Sequence, residues 1–311
     1  MNKLINIDRF PLFEKGIFEK YPALFDRFIH HNPGNSKKKY QEARKLLPEF
    51  ERTITWPMIT GPGFCGATHP GSENMFSKIM SRQNSLIYNS DCLYVNPLQN
   101  VFAVSDAPGV TTSSRRLFEK LDQSLKERPI NDLETIINGL DRDTNISSRA
   151  TLCLVYFPRR VSENGPPKAL ALSAGDSYVF HGNIFNGEIR LIEGNPSFIG
   201  SPEISPELEV IELSSGDFFI LASDGIDDIT LYNQDTGLGE TLWKQMNDGP
   251  ENFVFNAIKT CNSILERRLS SRKITMFGGI DNVSVLLIFP DKLREINQKQ
   301  SFILGGYIGK E

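Results

Sequence analysis

Five aspartates of this chain share one placement, each abutting the most apolar part of its segment. Asp106 ends VFAVSD, Asp176 ends LALSAGD and Asp224 ends FFILASD, while Asp91 heads DCLYV and Asp281 heads DNVSVLLI. A carboxylate at the rim of a core loses hydration, and a buried charge without a partner is expensive. Any one of these residues is equally well explained as a turn former or helix cap, which Asp does readily. Five of them are not, because ordinary turns do not repeatedly set Asp right beside long hydrophobic strands. If they converge on one rim, they require cations. Hard divalent ions such as Mg²⁺ and Mn²⁺ take carboxylate, carbonyl and water oxygens, and need neither His nor Cys.

The elements that must carry these residues follow from hydrophobic periodicity. SLIYNSDCLYVN, NVFAVSD, ATLCLVYFP, KALALSAGD, SYVFHGNIF and EIRLIEG read as strands, divided mostly by Gly and Asn turns. ELEVIELSSGDFFILASD reads as two strands joined at Ser215-Gly216, and DNVSVLLIFP as a final strong strand. SSRRLFEKLDQSLKE is an amphipathic helix and NDLETIINGL a second, with Asn131 as its cap. Between residues 251 and 270, Phe253, Ala257, Ile258, Cys261, Ile264 and Leu265 form one helical stripe. Residues 1–55 read as a polar, helical N-terminal extension, with Tyr40, Ala43, Leu46 and Leu47 at helical spacing. Residues 56–75, rich in Gly and Pro, read as loop with one strand near Ile59, and residues 296–311 as a C-terminal tail. Strands that follow one another through short turns favour antiparallel pairing, and helices at two separate places cover two sheet faces. The expected fold is an α+β layered sandwich.

Composition removes several function classes. The chain has 311 residues, long enough to bury a core without staples, and its 39% hydrophobic and 23% charged residues are an ordinary globular balance. A net charge of −4 argues against broad nucleic-acid binding, which needs a basic face. The cysteines, Cys65, Cys92, Cys153 and Cys261, form no CxxC pair and no zinc spacing. MNKLINIDRFPLFEKG places acidic residues where a signal peptide needs an apolar run, and no stretch has the roughly 18 apolar residues of a membrane span. A cytoplasmic monomer with no nucleic-acid or membrane partner is expected.

The aspartate segments resemble the motifs of the metal-dependent protein phosphatases, the type 2C serine/threonine phosphatases. NSDCLYV followed by VFAVSDAPG looks like the family's acidic strand pair, and LALSAGDSYVF is similar to its V-G-D-S-R segment. FFILASDGIDD is very close to its L-A-S-D-G-hydrophobic-x-D segment, and GGIDNVSVLLI to its D-N-x-T-hydrophobic segment. The match runs in the right order over about residues 85–290, within an expected phosphatase domain of residues 56–295. The resemblance implies a four-layer αββα sandwich of two antiparallel sheets with metals at one edge. It implies two Mg²⁺ or Mn²⁺ ions per site, with a third held more loosely. Asp106 would bridge the two metals, and the carbonyl of Ala107 would stand where a Gly carbonyl binds. Asp224 and Asp281 would complete the second metal's shell, Asp91 would reach the first through water, and Asp176 and Asp228 would hold the third with Asp224. Asn282 would orient Asp281. The implied catalysis, through Asp106, Asp224 and Asp281, is attack of a metal-held hydroxide on a phosphoserine or phosphothreonine of a phosphoprotein.

The chain departs from that pattern in several places. Asp-Gly is Asp106-Ala107, which serves if the backbone of Ala107 is ordinary. Pro108 stands where some relatives have a His as general acid, so water is the expected proton source. Leu86 stands where the family often has a phosphate-gripping Arg, and Arg82 is the candidate substitute. The arginine of the V-G-D-S-R segment is Tyr178. These changes keep two rivals open: a phosphatase-like binding module without turnover, and a hydrolase of small phosphorylated metabolites. His30, His31, His69 and His181 carry no assigned role, and Arg115-Arg116 and Arg159-Arg160 read as solvated charge.

Overall fold

In the computed structural model, the residues described are 3–6, 57–69, 89–108, 111–141, 149–158, 166–200, 207–232, 237–246, part of 253–261, 281–293 and 301–306. Among the described residues, thirteen strands build two sheets. The seven-stranded sheet runs β1 (Lys3–Asn6), β2 (Pro57–Gly61), β3 (Phe64–His69), β12 (Val283–Ile288), β11 (Asp217–Ala222), β8 (Tyr178–Asn183), β9 (Glu188–Leu191). The six-stranded sheet runs β10 (Glu209–Glu212), β7 (Lys168–Ala174), β6 (Leu152–Tyr156), β5 (Val101–Ser105), β4 (Cys92–Asn96), β13 (Phe302–Gly305). All pairings are antiparallel except β1 with β2 at one edge.

Every residue of β4, β5, β6, β11 and β12 is buried, because both faces of each sheet are covered. Period-two alternation sorts their side chains between layers. Leu93, Val95, Phe102, Val104, Phe219, Leu221, Leu286 and Ile288 meet in the layer between the sheets. Cys92, Tyr94, Val101 and Ala103 face outward onto α1 (Ser113–Glu127) and α2 (Leu133–Asp141), through Leu117, Phe118, Leu121 and Ile137. Phe218, Ile220, Val285 and Leu287 face the other way, onto Leu242 of α3 (Leu238–Gln245) and the stripe Phe253, Val254, Ala257, Ile258 and Cys261. The layer order is helix, sheet, sheet, helix, the expected αββα sandwich. Among the described residues, no helix is long and apolar enough to cross a membrane.

Four expectations about the elements need correction. The segment read as loop with one strand is the hairpin β2–β3, and β3 lies well inside its sheet. Gly66, within that Gly-rich run, is a strand residue whose backbone Leu286 approaches so closely that a Cβ would lie 2.6 Å from Leu286 Cδ1. The expected tail contributes β13, since Phe302, Ile303 and Leu304 supply a short apolar run that pairs with β4. At the other end, Lys3–Asn6 is a strand and not helix; four residues carry no helical period, and their backbone extends the edge at β2. The rest of residues 1–55 lies outside the described residues. Asn131 sits inside a 3₁₀ turn, Ile130–Asp132, that leads into α2, rather than at a cap.

Candidate metal centre

Antiparallel topology brings the aspartates together. Cys92 pairs with Ser105, so the start of β4 and the end of β5 share an edge, and Asp91 and Asp106 flank it. Ala222 pairs with Val285, which places Asp224, just past β11, beside Asp281, just before β12. β7 and β8 belong to different sheets, and Asp176 sits in the crossover between them, at the end of β8 that pairs with Ala222. All five expected residues therefore lie along one edge of the sandwich.

Within that edge, Asp106, Asp176 and Asp224 each offer a carboxylate oxygen within 4.8 Å of one another. Asp281 lies outside this tightest group but flanks it, since its charge raises the pKa values of Asp91, Asp106 and Asp224. Asp91 is the most deeply placed, 1% exposed. The side chain of Asp228 and all of Arg82 and Leu86 lie outside the described residues. A further acid, Asp227, also stands at this edge: it accepts a hydrogen bond of 2.8 Å from the Tyr178 hydroxyl, and its charge acts on Asp224.

The electrostatics are those of uncompensated negative charge. Burial, then the charge of Asp106 and next of Asp281, push the Asp224 carboxyl up to about 8. Burial and then Asp106 drive Asp91 well above the usual carboxylate range. Asp106 and Asp281 are shifted in the same direction, each by desolvation first. Among the described residues, no basic side chain forms an ion pair with Asp91, Asp106, Asp176, Asp224 or Asp281. Two carboxylate oxygens, Asp91 Oδ1 and Asp224 Oδ1, are buried with no hydrogen-bond partner. Hard, oxygen-only donors, converging and short of positive charge, fit Mg²⁺ or Mn²⁺. Ala107 is compatible with a carbonyl role. Among the described residues the one non-glycine with positive φ is Asn100, so the backbone of Ala107 is ordinary.

Asn282 of the last motif and polar residues that the motifs did not single out surround the aspartates. The Asp106 N–H donates to Thr151 Oγ1 at 2.7 Å, and Thr151 Oγ1 lies 2.7 Å from Ser177 Oγ, which ties the β5 end to the crossover carrying Asp176. The Asn282 N–H donates to Asp281 Oδ1 at 2.8 Å, and its side-chain Oδ1 accepts from the Ser90 N–H at 2.8 Å. Behind Asp91, Ser223 donates to Asp91 Oδ2, while Asn89 Nδ2 and Ser284 Oγ both donate to Thr68 Oγ1 at 2.6 Å. The sequence held a signal for these: Thr68 and Ser284 are polar residues inside otherwise apolar strands. His181 carries no site role, stacking on Phe219 with ring centroids 4.8 Å apart.

Gly225 makes the approach of the two motifs possible. A Cβ there would lie 2.0 Å from the Asn282 carbonyl oxygen, so only a glycine lets the Asp224 turn pack against the Asp281-Asn282 backbone. Gly225→Ala is expected to cost about 2–3 kcal/mol through forced backbone displacement. Urea unfolding would check it, and an unchanged midpoint would show that the two segments do not meet this way.

No protein-family model matches the chain, and no curated protein matches it in sequence. Solved structures do. PppA, a key regulatory component of T6SS in Pseudomonas aeruginosa, is 15% identical with a TM-score of 0.50, over 72% of this chain and 96% of that one. The SiaA-PP2C domain of Pseudomonas aeruginosa is 13% identical with a TM-score of 0.49, over 86% and 97%. The serine/threonine phosphatase PstP/Ppp of Mycobacterium tuberculosis is 16% identical with a TM-score of 0.48, over 72% and 96%. The chain has the type 2C phosphatase fold. At this identity the likeness is one of fold, and the chemistry must be argued from the residues.

Proposed function

We propose that this chain is a metal-dependent phosphatase acting on phosphoserine and phosphothreonine in proteins. The observation that carries the reading is the group of aspartates with no ion-pair partner among the described residues, two with orphaned buried oxygens, at the edge where both sheets end. Asp106, Asp224 and Asp281 would hold two Mg²⁺ or Mn²⁺ ions, with the Ala107 carbonyl and Asp91 contributing to one of them and Asp176 to a third. Such ions, when bound, acidify water and neutralise phosphoryl oxygens. The chain's own part is to aim oxygen donors from five separate segments at one point and to keep hydroxyls such as Thr151 and Ser223 behind them.

A covalent thiol route has no candidate. All four cysteines are buried, and burial pushes the Cys153 thiol up to about 12, far from the thiolate that nucleophilic catalysis needs. Pro108 donates no proton, so solvent protonates the leaving group.

One observation favours the phosphatase-like binding module instead. Tyr178 stands where the family pattern has an arginine, and its hydroxyl is committed to Asp227. The deciding measurement is turnover of p-nitrophenyl phosphate with Mn²⁺, followed by a panel of phosphopeptides against small phosphorylated metabolites. Catalysis with preference for phosphopeptides supports the proposal, preference for metabolites moves the substrate, and absent turnover favours the binding module.

A further inference from the structure

The Asp91 carboxylate is fully enclosed, and its two oxygens have different surroundings. Oδ2 accepts from the Ser223 hydroxyl, while Oδ1 has no hydrogen-bond partner. Ser223 itself is 0% exposed and belongs to a cross-strand pair. Its N–H donates to the Ser284 carbonyl at 3.1 Å, and the Ser284 N–H donates back to Ser223 Oγ at 2.9 Å. That second bond fixes a polarity. A backbone N–H can only donate, so it occupies an acceptor position on Oγ, and the single hydroxyl proton of Ser223 goes to Asp91. The Ser284 hydroxyl is turned elsewhere, donating to Thr68 Oγ1 at 2.6 Å.

The backbone of the Asp91 segment is held independently. The Asp91 N–H donates to Asn89 Oδ1 at 3.2 Å, and its carbonyl accepts from the Gly306 N–H at 2.8 Å. With the main chain fixed on both sides, the carboxyl group meets the Ser223 hydroxyl on Oδ2 and shares a hydrogen bond with the carboxyl of Asp106, a fellow metal-site acid, so Ser223 is the hydroxyl donor that orients it.

From this geometry we infer that Ser223 is a positioning residue for the metal centre. It clamps Oδ2 of Asp91 from the β11–β12 pair and leaves Oδ1 free to serve the cation. The inference rests on the metal-dependent reading proposed above. Partners that orient a metal ligand without touching the metal commonly matter for affinity as much as for stability. A core hydroxyl that is merely satisfied would matter for stability alone.

The test is Mn²⁺ titration of the full chain by calorimetry, with the electron paramagnetic resonance of bound Mn²⁺ as a second readout. Wild type, Ser223→Ala and Tyr94→Phe are compared at matched folded fraction. Tyr94→Phe removes a buried hydroxyl that donates to Asp122 Oδ1 at 2.9 Å on the outer face of β4, so it is the control for general damage. Ser223→Ala is expected to weaken Mn²⁺ binding by about tenfold or more, while Tyr94→Phe lowers thermal stability and leaves affinity nearly unchanged. Should the alanine variant fail to fold, Ser223→Cys, a weak donor of similar shape, carries the same comparison. Equal affinity in wild type and the Ser223 variant, or equal losses in the Ser223 and Tyr94 variants, would overturn the inference and leave the phosphatase reading standing. Absence of any Mn²⁺ binding by wild type would overturn both.

Discussion

Replacing Asp224 by asparagine is expected to remove turnover while making the metal-free protein more stable. The two effects have one cause. Asp224 is half-buried at the end of β11, its Oδ1 has no partner, and burial with four neighbouring acids holds its carboxyl up at about 8. Above that pH the folded apo protein carries a charge it cannot solvate or pair. Asparagine keeps the shape and removes the charge. A shift of this size on a half-buried group translates into about 1–2 kcal/mol after allowance for screening by water, worth a few degrees of melting temperature. Against that gain stands the loss of an anionic donor in the tightest acidic group, with Asp106 and Asp176. Removing one such preorganised group is expected to lower Mn²⁺-dependent turnover of p-nitrophenyl phosphate by about 10²-fold or more. A residue kept for folding loses stability when replaced; a residue kept for function, at a cost to the fold, gains it. Thermal unfolding in EDTA beside a rate assay in Mn²⁺ separates these cases. Rates equal and negligible in wild type and variant would indicate a binding module, and a destabilised variant would mean that Asp224 is a structural residue.

The parts of this arrangement that could be read from the chain are those in which local pattern and long-range position coincide. Each of Asp91, Asp106, Asp176, Asp224 and Asp281 touches an apolar run, and antiparallel strands joined by short turns return their ends to common edges. Strand and turn patterns therefore made convergence an expectation, and the family resemblance placed it at one edge. Unread were the contacts whose meaning depends on a distant partner. Gly66 looks like part of a loop until Leu286 is laid against it, and Ser223 looks like filler before Asp224 until Asp91, 132 residues away, accepts its proton. Phe302–Gly305 reads as part of a C-terminal tail, although the carbonyl of Asp91 accepts from the Gly306 N–H that follows it. Asp227 carries no signal of its own in the family pattern, which points to its neighbour Asp228. The place of Asp227 at the site rests on the Tyr178 hydroxyl, in the position of the missing arginine, which donates to it.

Without divalent metal, stability should fall as pH rises from 6.5 to 8.5, and Mn²⁺ should reverse that fall. The sign follows from the direction of the shifts. Asp91, Asp106, Asp224 and Asp281 all have folded-state pKa values raised above those of the unfolded chain. The folded state thus binds more protons than the unfolded state between their two pKa ranges, and stability decreases with pH there. Their favourable contribution is complete below pH 4 and is lost as pH climbs through the raised values, about 8 for Asp224. A second group acts in the opposite sense at lower pH. Burial lowers His69 to about 3, so it stays neutral in the fold while the unfolded chain protonates it below about 6.5. Acidification below that point costs stability through His69 as it restores stability through the aspartates. Above 6.5 the histidine is silent and Asp224 sets the slope, joined toward pH 8.5 by the buried Cys153 thiol, which acts in the same sense but is not answered by metal. Metal binding needs the carboxylates ionised, so it competes with protons and strengthens with pH. At a free concentration about 100 times Kd, each ion adds about 2.7 kcal/mol to folding. Melting temperatures in EDTA and in Mn²⁺ should therefore diverge steadily across this window, with the EDTA curve falling. Parallel curves, or an EDTA curve that rises with pH, would mean that the acidic edge is neither charge-starved nor metal-binding.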